Sequence, residues 1–465
     1  MVNALERRGF QLSELVENKK DLSSESLKSR LLKAISFLVY PSGRKPSQQF
    51  QKFQGAFREV LNCEEYRQTL HLNHLDENLS SSMDFLHKCC ICFFAEVEIH
   101  LYCRYLVGEV QNRNENIEAS YLNAEALEKN LEQSFERISK SMAKKFRTGP
   151  LYWISYIKDQ INLGFDPFSQ GNIPSVFFKT KYILPLGKEK TVVNIRSSTP
   201  TCEDFFSILF GEAEINPEYR GYLEACKKFS KRHLYINLQD RKTTFLWKNE
   251  APRCFALEKL QYEYPGVVTV VSLSKDSVFY WQEGPYLELK EAENFKREFV
   301  HQLFQRDTGF FFPEDLRLSK SFSFAEDINR IVERVHRDVY AGVLELSKEQ
   351  RMDFIEIVYA FLIDYLISKV EPDYYNISCK DCIDRGIGMN GLFFFFQYLQ
   401  QESVSQLFPY EDLEAMIFAP AIFVREREIK RERLGRMISA CKRLINTSFS
   451  IDEEGLRWKV KELCY

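Results

Sequence analysis

The chain has 465 residues, 45% of them apolar, and a formal net charge of −3 from 63 basic and 66 acidic side chains. That length can bury two or three domains or one large core with an appended helical part, and the near balance of charge excludes bulk attraction to nucleic acid or to anionic membranes. The 12 cysteines follow no framework rhythm and no charged-then-apolar segment precedes Leu12, which predicts work in a reducing cytosol without disulfide staples.

The first 145 or so residues read as helix upon helix, with Leu127, Leu131, Phe135, Ile138 and Met142 recurring at three and four spacing. Asparagine-rich Gln111 to Asn116 marks a loop between two of them. His87, Cys89, Cys90, Cys92, His100 and Cys103 are the right ligand types for zinc. Their segment is mostly apolar and no second knuckle follows, so a buried helix is expected and no metal. The apolar runs Cys89 to Ala95, Ile357 to Ile363 and Ala415 to Val424 are too short to span a bilayer.

Past Arg147-Thr-Gly-Pro150 the pattern changes to short β-prone runs. Tyr182 to Leu186 and Thr191 to Arg196 flank Gly187-Lys-Glu-Lys190 as a hairpin, and Val267 to Leu273 with Val278 to Trp281 flank Ser274-Lys-Asp276 in the same way. His233 to Leu238 reads as a strand. Helical periodicity returns from Glu291 to Phe304 and from Ser347 to Val370. The expected fold is α/β (α+β), a mixed sheet covered by helices, with residues 1–147 a helical N-terminal region and 148–465 a catalytic domain.

Pro372 stops the second of these helices, and Tyr374-Tyr-Asn-Ile377 is short and β-prone. Cys379 to Arg385 then reads Cys-Lys-Asp-Cys-Ile-Asp-Arg. A cysteine six residues before an arginine suits a loop that wraps a phosphoryl group, with backbone amides and a guanidinium meeting its oxygens. Cys226 to Arg232 has the same spacing, but there a helix precedes the cysteine and a strand follows. A phosphate cradle needs the reverse order, strand then helix N-terminus. Cys226 is therefore expected to be structural and Cys379 reactive. Gly386-Ile-Gly388-Met-Asn-Gly391 spells the dinucleotide fingerprint, but no strand runs into its first glycine. It is expected to be a glycine-punctuated turn and permissive helix start leading into Leu392 to Leu399.

The loop resembles the Sac-type phosphoinositide phosphatase signature Cys-x-Asp-Cys-Leu-Asp-Arg. With Lys380 after the cysteine and a glycine after the arginine it is closer still to the SidF and SidP phosphoinositide 3-phosphatases that Legionella injects into host cells. The SopB and inositol-polyphosphate 4-phosphatase group shares Cys379, Lys380, Asp384 and Arg385. The close match covers about ten residues, with weaker support from His233 to Asp240 and Asn194-Ile-Arg-Ser-Ser-Thr-Pro-Thr201. Sac-type loops continue Arg-Thr-Asn, whereas Gly386 and Ile387 follow here, so the hydroxyl that assists phosphoenzyme breakdown does not carry over.

The resemblance implies a phosphocysteine mechanism that uses no cofactor. Cys379 is the expected nucleophile and Arg385 the clamp on the phosphoryl oxygens. Asp384, the carboxylate common to all three loop variants, is favoured over Asp381 to protonate the leaving inositol oxygen, although Asp384 could equally orient Arg385 or cap the helix. Lys380, Cys382, Ile383 and Gly386 are expected substrate-binding residues of the loop; Cys382 could alternatively pair with the nucleophile or pack beneath it. Arg425 and Arg427 begin a basic run through Lys430, Arg431, Arg433 and Arg436 that reads as a solvated amphipathic helix. Arg425, Arg427 and, from the opposite side, Arg196 are candidates to reach the substrate's phosphates. The expected partner is a phosphoinositide head group, met by peripheral contact with a membrane from the cytosol. The resemblance further implies an effector delivered into a host. A catalytically inactive phosphoinositide-binding module and a cysteine-based protein phosphatase are the alternatives.

Overall fold

The computed structural model describes residues 27–39, 46–72, 77–111, 122–146, 167, 172–184, 187–202, 212–242, 250–305, 308–319, 323–401, 408–447 and 459–464. Helices α1 (Leu27–Val39), α2 (Pro46–Asn62), α3 (Glu77–Ala95), α4 (His100–Gln111) and α5 (Ala124–Phe146), with a short helix Glu64–Thr69 between α2 and α3, make up most of the described part of the N-terminal region. Leu127, Leu131, Phe135, Ile138 and Met142 form the buried stripe of α5, as their spacing predicts. Gln111 closes α4, while residues 112–116 and the expected boundary at 147/148 lie outside the described residues.

The sheet is mixed. Strands β1 (Ser175–Ile183) and β2 (Glu189–Arg196) form the expected antiparallel hairpin. A short ladder joins β3 (Thr201–Cys202) to β4 (Glu214–Ile215), and helix α6 (Pro217–Lys228) follows. Then come β5 (His233–Asn237), α7 (Ala251–Glu263), β6 (Val268–Leu273), α8 (Ala292–Phe304), β7 (Phe310–Phe311), α9 (Phe324–Tyr340) and α10 (Lys348–Val370). Strand β8 (Tyr374–Ser378) leads to α11 (Arg385–Leu399), α12 (Tyr410–Arg425), α13 (Arg431–Ile445) and β9 (Lys459–Cys464). The order across the main sheet is β7-β6-β5-β8-β2-β1-β9, with β2, β8, β5 and β6 parallel and the outer strands antiparallel.

Strand alternation divides the interior into two cores. Tyr235, Val268, Val270 and Tyr374 pack with α1–α3, α6 and α7. Leu234, Ile236, Val271, Leu273, Tyr375 and Ile377 pack on the other face with α4, α5 and α8–α13. Helices on both faces bury the central parallel strands β5 and β8 along their whole length, while β2 emerges at its start. Helix α10 is capped at its start by a reciprocal Ser347–Gln350 box and ends where Glu371 turns left-handed just before Pro372. That ending delivers the chain into the central strand β8.

Two expectations need correction. Val278 to Trp281 is a run of turns, and the antiparallel neighbour of β6 is β7. Phe279 stacks with Phe295 and contacts Phe299, while Tyr280 turns its hydroxyl to Glu356, so burial of both rings curls this β-prone segment. The glycines after Arg385 are inside α11, which starts at Arg385 itself. They serve close packing: a Cβ on Gly391 would lie 2.7 Å from Met437 Sδ. Among the described residues no helix is long and apolar enough to cross a membrane.

Candidate functional site

Because β2, β8, β5 and β6 run parallel, their C-terminal ends open on one edge of the sheet. Residues 379–384 leave β8 there and enter α11 directly, the strand–loop–helix order that an anion cradle requires. Cys379 is 4% exposed, and its Sγ accepts a 3.4 Å hydrogen bond from the Gly386 amide in the first turn of α11. A turn closes the loop through Cys382 N–H to Cys379 O at 3.2 Å, with Cys382 in the left-handed region at φ 51°. Among the described residues, the amides of Asp381, Ile383, Asp384 and Arg385 have no protein acceptor.

The guanidinium of Arg385 is fixed from across the sheet edge. Both terminal nitrogens bind Glu250, Nη1 at 2.8 Å from Oε2, and Asp276 Oδ2 lies 3.6 Å from Nη1. Burial alone would raise the Glu250 carboxyl, but the charge and hydrogen bonds of Arg385 hold it below the usual carboxylate range. Asp276 is likewise pulled down against burial by Arg385 and Arg433. Arg385 loses some proton affinity to burial and regains more from Glu250, so it stays a cation. Its Nε takes no protein acceptor among the described residues, leaving one edge of the fork unused.

Each carboxylate of the loop meets an arginine from the end of α12 or just beyond it. Asp381 Oδ2 accepts from Arg425 Nη2 at 2.9 Å. Asp384 is gripped harder: Arg427 reaches both oxygens at 3.0 and 2.7 Å, and the Lys430 amide adds 3.0 Å. Burial pushes the Asp384 carboxyl up, and those bonds more than reverse it. Arg425 and Arg427 thus reach the loop, but their partners in this state are its carboxylates. The basic run is not one solvated helix either. It breaks at left-handed Glu426, and Arg433 and Arg436 are buried against Asp276 and Glu356 because α13 packs across α10 and α11.

Arg196 is 1% exposed beneath the loop, donating from Nη2 to Asn172 Oδ1 at 2.5 Å and to the Asp381 carbonyl at 3.2 Å. It supports the loop backbone rather than opening onto solvent. Lys380 is half-buried, and its carbonyl accepts from Thr199 N–H at 3.0 Å. Ile383 is buried, and Cys382 packs underneath with its thiol on Ile377 O at 3.4 Å. Burial, then the neighbouring Cys379, pushes the Cys382 thiol up to about 12, which keeps it neutral. Gly386 is the tight point: a Cβ there would stand 2.6 Å from Cys382 Sγ and 3.3 Å from Ile377 O. Cys226, the rival cysteine, is fully buried at the end of α6 with its thiol pushed up to about 12 by burial.

No family model, curated protein or solved structure matches this chain. The site therefore stands on its own geometry. Sequence reasoning missed Glu250, at the start of α7, and Asp276, just past the end of β6, which converge on Arg385. It also missed Gln239, which accepts from Arg253 at 2.9 Å and donates to Thr199 at 2.8 Å, tying the β5 and β2 ends together. The His-Cys cluster on α3 and α4 does not converge as a metal site among the described residues. The triad that does, Glu293, Glu333 and His336, is bridged by Lys296, whose ammonium sits 2.7 and 2.6 Å from the two carboxylates.

Proposed function

We propose that the chain is a cysteine-dependent phosphatase of membrane phosphoinositides that works without metal or cofactor. The observation that carries the reading is the meeting of Cys379 Sγ with the first-turn amide of α11, beside Arg385 held by Glu250 and four loop amides with no protein acceptor. A helix N-terminus, a guanidinium and N–H groups without protein acceptors are the donors that a bound oxyanion needs. Cys379 would attack phosphorus in line. Arg385 Nε and the loop amides would take the equatorial oxygens, and water would then cleave the S–P bond.

Asp384 is too firmly held as a carboxylate, by Arg427 and the Lys430 amide, to serve as proton donor. Asp381 makes one contact with Arg425 and is the loop carboxylate assigned to protonate the inositol oxygen. The resemblance of the loop to the SidF and SidP enzymes favours the 3-phosphate and a role as an effector working from host cytosol. A phosphoinositide-binding module without turnover is the second reading. It is favoured by Gly386, which leaves no room for the hydroxyl that Sac-type loops carry after the arginine.

The test is phosphate release from a panel of phosphoinositides and phosphopeptides by the wild type and by Cys379→Ser. Release from phosphoinositides that the substitution abolishes is expected. Binding without release would establish the module, release from peptides alone a protein phosphatase, and activity surviving in Cys379→Ser would remove Cys379 from the chemistry.

A further inference from the structure

Helix α4 turns three large side chains to solvent. Leu101, Tyr102 and Tyr105 are 69, 53 and 64% exposed, while Cys103, Val107 and Val110 on its other side are buried. Positions 101, 102 and 105 share one face of a helix, so the three form one patch rather than scattered exposures. The patch is tied to the loop in two steps. The Tyr102 ring meets Phe423 of α12 edge-on at 6.5 Å between centroids. Two residues on, Arg425 holds Asp381, and on another side of Phe423 the Arg196 guanidinium lies 6.0 Å from the ring and binds the Asp381 carbonyl.

We infer that this face of α4 is a membrane-docking surface, which seats the loop on the head groups of an anionic phospholipid bilayer; the inference rests on the phosphoinositide reading above. Tyrosine and leucine suit the bilayer interface, where an apolar body meets a polar boundary. Of the cations that follow Phe423 in the chain, Arg425 and Arg427 are held by Asp381 and Asp384, and exposed Lys430 is the one offered to the same partner, since a local basic group draws anionic lipid within a Debye length. A substrate phosphate on an inositol ring stands at the level of the bilayer surface. A chain that must reach it needs its apolar contact beside the cradle, where α4 and α12 put it.

The experiment compares the full chain with Leu101→Glu/Tyr105→Glu and with the control Leu344→Glu, which alters a residue 84% exposed on the turn between α9 and α10. Each is sedimented with phosphatidylcholine vesicles containing phosphatidylserine. Each is also assayed on phosphatidylinositol 3-phosphate, both embedded in those vesicles and as a soluble short-chain form. The expected result is vesicle binding weakened roughly tenfold or more in the double variant only, with turnover of embedded lipid falling in parallel. Turnover of soluble lipid and the melting temperature should stay unchanged. Unaltered sedimentation of the double variant overturns the inference. So does a concentration-dependent dimer that this variant disperses, since the face would then belong to a second copy. A wild type that hydrolyses neither lipid form, yet sediments through α4, keeps the surface and removes the catalytic reading.

Discussion

Glu250 takes both terminal nitrogens of Arg385, so the guanidinium of the loop is aimed by a carboxylate 135 residues away in the sequence. A fork–fork pair of this kind fixes the plane of the arginine as well as its position. What remains for a ligand is the Nε edge and the amides below it.

Glu250→Gln keeps the shape of that support and removes its charge. Losing a charge-assisted hydrogen bond costs about 1.5–3 kcal/mol, which read through the barrier is on the order of 10- to 100-fold in kcat/KM. Phosphate release should fall by that factor while the circular dichroism spectrum is unchanged. Full activity in Glu250→Gln would show that Arg385 needs no aiming.

Gly386 sets a steric limit. Gly386→Ala would drive a methyl group into Cys382 Sγ, and overpacking of this sort costs about 1–3 kcal/mol. The melting temperature should fall and turnover with it. Adding Cys382→Ala removes the opposing sulfur and should recover most of the stability, a non-additivity that a double-mutant cycle measures directly.

The two loop aspartates should separate by leaving group. Asp381→Asn is expected to slow release from an inositol phosphate, whose alkoxide needs a proton, by roughly 100-fold or more, and release from an aryl phosphate far less. Asp384→Asn should instead cost on the order of 1–3 kcal/mol of stability at pH 7 by removing the anion that Arg427 grips. Since the carboxyl of Asp384 lies below its ordinary value, its contribution is present above that value and lost as pH falls. The gap between wild type and Asp384→Asn in urea unfolding should close below about pH 4. Equal slowing of both substrates by Asp381→Asn would reassign the proton donor.

His233 supplies an acid-sensitive point in the sheet itself. Its ring nitrogens lie 2.8 Å from the Tyr222 hydroxyl and 2.7 Å from the Asn376 side-chain oxygen, and burial lowers it from 6.5 to about 4. The unfolded chain takes the proton first as pH drops below 6.5, so stability declines from there to about pH 4, by about 3 kcal/mol at 1.4 kcal/mol per unit. Unfolding midpoints measured across that window should show the decline. His233→Gln should flatten it by close to one proton, leaving the similar contribution of His87, which burial also lowers to about 4.

The α5 stripe, the β1–β2 hairpin and the strand at His233 were readable because apolar period and turn residues agree there. The strand before Cys379 and the helix after it were readable from the β-prone run after Pro372 and the apolar residues from Leu392 to Leu399. Glu250 and Asp276 were not, since a carboxylate brought in from a helix start or a turn far away in the chain carries no local mark. Val278 to Trp281 misled because aromatic and β-branched residues favour a strand, whereas burial of Phe279 and Tyr280 bends the segment. The glycines of α11 misled because glycine usually signals a turn, while here it lets Cys382 and Met437 approach the helix backbone.

Strand β8 fills the slot between β2 and β5, although it follows both by more than a hundred residues in the chain. On a ribosome, β2 and β5 have each emerged long before their shared neighbour exists, and both present unpaired edges during that interval. Cys379 comes immediately after the residues that join the two halves of the sheet. Joining of the scaffold and arrival of the candidate site are therefore one event in the life of the nascent chain.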